Sequence, residues 1–90
     1  MHIIEKIVTM SAGTKARTVM VNGLTCLVQN NSGTDVYFKE KRADGVDVTA
    51  ENGWRLGPGE STVWPMAVRE LSVAAGKEDA DVRVLILEEY

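Results

Sequence analysis

The stretch Arg55-Leu56-Gly57-Pro58-Gly59-Glu60-Ser61 admits two readings that lead to different folds. A glycine-rich loop that cradles phosphate would open an α/β nucleotide-binding unit, whereas a reverse turn would join two strands. A Walker-type loop needs lysine and then serine or threonine after its last glycine. That place holds Glu60, whose carboxylate repels phosphate. No helix can follow, because Thr62-Val63-Trp64-Pro65 is β-branched and aromatic and then breaks at proline. Pro58 fixes φ near −65° at the second turn position and Gly59 supplies positive φ at the third, the requirements of a type II turn. The stretch is a turn between strands, and it points to an all-β chain.

Working outward, the same pattern of short strands and glycine-containing turns recurs. Upstream, Thr18-Val19-Met20-Val21 leads through Asn22-Gly23 into Leu24-Thr25-Cys26-Leu27-Val28. Asn-Gly suits a type I′ hairpin, with a bulge or kink within one long strand as the alternative. Asn30 to Asp35 reads as a polar loop, Val36-Tyr37-Phe38 as a strand, and Arg42-Ala43-Asp44-Gly45 as a turn before the alternating Val46-Asp47-Val48-Thr49. Downstream, Leu71 to Ala75 alternates, Lys77 to Ala80 turns, and Asp81 to Leu87 forms a closing strand. Val82, Val84 and Ile86 share one face of that strand and Leu85 and Leu87 the other. Two apolar faces predict a central strand or one covered by a partner chain. Ile3, Ile4, Ile7 and Val8 fall at helical spacing but are β-branched, so residues 1–14 are read as an N-terminal arm or edge strand, with Ser11 to Thr14 as a loop. The expected fold is a small antiparallel β-sandwich or flattened barrel comprising residues 1–90 as one domain.

Composition narrows the function. The 44% hydrophobic and 26% charged content is that of an ordinary globular protein, and a net charge of −3 offers no basic face for nucleic acid. The densest basic run, Lys39-Glu40-Lys41-Arg42, is broken by glutamate and reads as a solvated loop edge. No run of about 20 apolar residues is present to span a bilayer, and Met1 to Lys6 lacks a signal peptide's pattern, so neither membrane nor export is expected. Cys26 is the only cysteine and lies in an apolar run, the setting of a small buried hydrophobe.

Catalytic constellations are missing. The sole histidine, His2, stands near a terminus and is a poor base for a serine or cysteine nucleophile. A zinc site needs about four cysteine or histidine ligands, and the chain has one of each. The carboxylate groups Asp44/Asp47, Glu78/Asp79/Asp81 and Glu88/Glu89 lack the spacing of a calcium loop and read as solvated turns. No enzyme activity, cofactor or metal is expected. Tryptophans on a sheet face can stack on sugars, so Trp54, Trp64 and Tyr37 form a candidate ligand platform for a carbohydrate-binding module. The commoner role of such large residues in a small domain is to fill its core.

The ordered set Gln29-Asn30, Val36-Tyr37, Asn52-Gly53-Trp54, Leu56-Gly57-Pro58-Gly59-Glu60 and Asp81-Val82-Arg83-Val84-Leu85 resembles a family of small β-rich proteins. These are encoded among the structural genes of tailed bacteriophages and prophages. The resemblance runs from Leu24 to Glu88, with Lys39 to Val46 forming a longer link than is usual there. It implies a non-enzymatic structural or assembly role, in a virion or the bacterial cytoplasm, with docking on a capsid or tail protein. Leu85 and Leu87, with Ile3, Ile4 and Ile7, are more apolar surface than one small domain can hide. They are the candidate self-association surface of a dimer or trimer.

Overall fold

The computed structural model describes residues 3–23, 25–41, 45–64 and 68–89 and, within these, the side chains of all but 3, 4, 22, 23, 64, 68, 88 and 89. The described residues contain no helix. The described residues form eight strands: β1 Ile3–Ala12, β2 Arg17–Gly23, β3 Thr25–Asn30, β4 Val36–Glu40, β5 Trp54–Leu56, β6 Ser61–Trp64, β7 Val68–Ala75 and β8 Ala80–Glu89. They form two four-stranded antiparallel sheets, A in the order β1-β8-β3-β6 and B in the order β2-β7-β4-β5. The period-2 alternation of the sequence sends one side chain in two to the space between the sheets. Cys26 and Val28 on β3 and Val82, Val84 and Ile86 on β8 meet Val36 and Phe38 on β4 and Leu71 and Val73 on β7 in one fully buried core. The chain is a small all-β sandwich.

Four local expectations need correction. Ser11 and Ala12 are not loop: they extend β1, paired with Asp81 and Ala80, and Ala12 is buried. The N-terminal segment is thus an edge strand bonded to β8 along its length, from Ile3↔Glu89 to Ala12↔Ala80. Asn22-Gly23 does not make a hairpin, because β2 pairs with β7 in sheet B while β3 pairs with β8 and β6 in sheet A. The chain passes from one sheet to the other there, close to the kinked-strand alternative, and the β2 register shifts between Met20 and Gly23. Lys39 and Glu40 are not loop but the end of β4. Finally, the alternating Val46 to Thr49 does not form a strand.

That last segment has another task. Residues 45–53 fold back over the outer face of sheet B, where Val48 is buried and its amide donates to the hydroxyl of fully buried Ser72 on β7 (3.0 Å). Ala74, the next outward residue of β7, is buried as well. Lys39 anchors the segment by donating to the Val46 carbonyl (3.0 Å), and Lys41 pairs with Asp47 (2.9 Å). A side chain at Gly53 would collide with Val48 and come within 3.0 Å of the Thr49 carbonyl, so glycine permits the close return of the chain.

The Gly57-Pro58-Gly59-Glu60 turn is as read from the sequence. Gly59 has φ 77° and the Glu60 amide donates to the Gly57 carbonyl at 3.1 Å. The Gly59 amide donates to the Asn30 carbonyl (3.0 Å) and the Asn30 amide to the Glu60 carbonyl (2.9 Å), which fastens the turn to the end of β3. No atom lies within 4 Å of a Cβ built on Gly59. Gly59→Ala therefore meets only the positive-φ penalty and should lower stability by about 1 kcal/mol, read as a fall in the urea midpoint at unchanged slope. An unchanged midpoint would mean that the turn tolerates a side chain.

Candidate interaction surface

The two outer faces of the sandwich are finished differently. Sheet B is roofed by residues 45–53, so its outward Ser72 and Ala74 are buried. Sheet A has no such cover among the described residues. Its strand registers place Ile7 on β1 opposite Leu85 on β8, Leu85 opposite Leu27 on β3, and Leu27 opposite Val63 on β6. Directly paired residues share a face. These four apolar side chains therefore form a continuous row across every strand of the sheet, on the face away from the core. Leu85 and Leu27 are half-buried in its middle, while Ile7 is 68% and Val63 57% exposed at its ends. Leu87, with Glu5 and Thr25 beside it, lies on one side of the row. Thr9, Arg83, Gln29 and Ser61 lie on the other.

Of the residues singled out in the sequence as an association surface, Ile7, Leu85 and Leu87 come together on this face. Ile3 and Ile4 stand opposite Glu89 and Glu88 in register, and their side chains are outside the described residues. As expected of a strand with two apolar faces, β8 is interior to its sheet, between β1 and β3. Leu27 and Val63 were not singled out. Leu27 alternates with buried Cys26 and Val28, and Val63 follows half-buried Thr62, so the signal lay in the strand period once the strands were placed.

The aromatic platform is not brought together. Trp54 is in register with inward Phe38, while Tyr37 is the outward neighbour of Phe38 on β4, so the two rings belong to opposite faces of sheet B. Trp54 is also not core: it is 63% exposed on β5, a three-residue strand at the edge of sheet B with no neighbour on its far side among the described residues. Trp64 stands opposite Cys26 in register, with its side chain outside the described residues.

Four other reactive groups are tied up in structure. Cys26 is buried, and its desolvation pushes the thiol pKa up, away from a reactive thiolate. Glu78 accepts from the Thr14 hydroxyl (2.8 Å) and amide (3.1 Å), which holds its carboxyl below the ordinary glutamate range and fastens the β7–β8 turn to the β1–β2 turn. Asp47 is engaged by Lys41, and Asp81 by Asn31 (3.0 Å) and, more loosely, Arg83 (3.5 Å). Among the described residues no three histidine, cysteine, aspartate or glutamate side chains are grouped to hold a metal ion. His2, Asp44 and Arg42 lie outside the described residues, as do the side chains of Glu88 and Glu89. No helix there is long and apolar enough to cross a membrane. No family model matches the chain, and no curated protein matches it in sequence.

Proposed function

We propose that this chain is a non-enzymatic structural or assembly module, of the kind encoded among tailed-phage structural genes, that works by self-association or by docking on a capsid or tail protein. The observation that carries this reading is the apolar row Ile7–Leu85–Leu27–Val63 on the uncovered face of sheet A. A protein that roofs one outer face with its own chain and leaves an apolar row on the other has a surface suited to a protein partner. Light scattering at micromolar concentration should give a mass of two or three times the 9.8 kDa chain. A strictly monomeric chain at high concentration would remove self-association and leave docking on a different virion protein as the use of the row.

The exposure of Trp54 supports a second reading, a sugar-binding module, now resting on a single indole. A saturable change in tryptophan emission on titration with oligosaccharides would promote it. An unchanged spectrum would dismiss it.

A further inference from the structure

The four edges of the two sheets are guarded unequally. β5 and β6 are three and four residues long, and the β2 register shifts between Met20 and Gly23, features that discourage a further strand from pairing. β1 is ten residues long, holds neither proline nor glycine, and keeps one register with β8 from Ile3↔Glu89 to Ala12↔Ala80. Its far side has no neighbour among the described residues. A straight edge of this length invites a second copy, yet it carries one anomaly. Lys6 stands opposite fully buried Ile86, so it belongs to the side of the strand that faces the core. Val8 and Met10 on that side are half-buried and Ala12 is buried, whereas Lys6 is exposed. We propose that Lys6 closes the β1 edge to other copies of this chain.

Two copies joined edge to edge about a twofold axis run antiparallel, with their cores on the same side of the joined sheet. Directly opposite residues then share a face, so Lys6 can meet only an even-numbered residue of the second β1. Those are Ile4, Lys6, Val8, Met10 and Ala12, in every register an apolar residue or a like charge. The other edge strands offer no remedy, since β2, β5 and β6 contain no aspartate or glutamate. Glu88, in register with Ile4, stands diagonally across on β8. A pair with it would form within one copy and be carried into the joint, where an ion pair loses its water. The joint thus sets an ammonium against apolar side chains and closes the flank by which it reaches solvent. A charge on the core side of an edge strand keeps sheets from joining in this way. Lys6 acts so whether or not copies associate through the outer face of sheet A, and this role stands apart from the function proposed above.

Removing the charge should open the edge. In Lys6→Val and Lys6→Thr, the β1 amides directed away from β8 should gain about tenfold or more protection from hydrogen exchange as the chain is concentrated. Light scattering should show the mass rising above that of the wild type at the same concentration, with circular dichroism unchanged. Lys6→Arg keeps the charge and should match the wild type, whose outward-directed β1 amides exchange freely at every concentration. Wild-type amides that become protected on concentration would mean that the edge is open, and would overturn the proposal. So would uncharged variants whose β1 amides stay unprotected, or a Lys6→Arg chain that joins as readily as Lys6→Val.

Discussion

Asn30→Asp is expected to destabilise the domain by at least about 3 kcal/mol at neutral pH, although it changes the side chain by one atom. Asn30 ends β3 and is fully buried. Its Nδ2 donates to three carbonyls, those of Thr34 (2.7 Å), Leu56 (3.0 Å) and Gly57 (2.9 Å). Its Oδ1 accepts from the Ser32 amide (3.0 Å) and hydroxyl (2.6 Å). With three acceptors on one side and two donors on the other, only one orientation of the amide satisfies the site. One side chain thus joins the end of β3, the 31–35 loop, the end of β5 and the Gly57–Glu60 turn. Aspartate keeps the shape and the Ser32 bonds but turns a carboxylate toward three carbonyl oxygens. Their repulsion favours the protonated acid, so the variant's folded-state pKa lies above its unfolded value. The penalty is then full above that raised pKa and shrinks as pH falls through it, because a protonated carboxyl regains one donor. Urea unfolding at pH 7 and again in mild acid checks both parts. A loss under about 1 kcal/mol at neutral pH would mean that water serves these carbonyls equally well.

Asn30 also marks where sequence reading succeeds and fails. The sequence places Asn30 with the polar loop that runs to Asp35, whereas it ends β3. Polarity locates a residue at a turn; it does not tell whether the turn folds inward over it. The strands from Thr25, Val36 and Asp81, the alternation before Gly76 and the type II turn were legible because each rests on neighbouring residues: period-2 alternation, or the φ preferences of proline and glycine. The division into two sheets was not. Asn22-Gly23 has hairpin chemistry, yet β2 and β3 are claimed by β7 and β8, some fifty residues away. Local turn preference yields to the burial gained when both strands line one core. The candidate surface was half legible for the same reason. Leu85 and Leu87 betray themselves as a second apolar face within one strand, whereas Leu27 and Val63 join them only through register.

Phe38→Ala is expected to cost about 3–5 kcal/mol, a large share of the roughly 5–13 kcal/mol that a 90-residue domain commands. Phe38 is the only phenylalanine and heads the fully buried side chains by size. It lies at the centre of sheet B's inner face, in register with buried Val73 on β7 and with Trp54 on β5. The rest of the fully buried core is mainly valine, with Leu71, Ile86 and Cys26. Such β-branched residues hold few rotamers and are fixed in two bonded sheets, so they are poorly able to close on the space that a lost ring leaves. Trp54, in register with Phe38, is a large neighbour with room to move. It is pinned at the backbone by β5 pairing, but its ring stands mostly in solvent. If it stays there, Phe38→Ala keeps the wild-type tryptophan emission and takes the full loss. If it swings inward, the emission shifts to the blue and the loss falls below about 2 kcal/mol, because transfer of the indole from water offsets part of the cavity. Urea unfolding followed by tryptophan emission separates these outcomes in one titration. The first is expected, since an indole is larger than the phenyl ring it would replace and overpacking a rigid core carries its own cost.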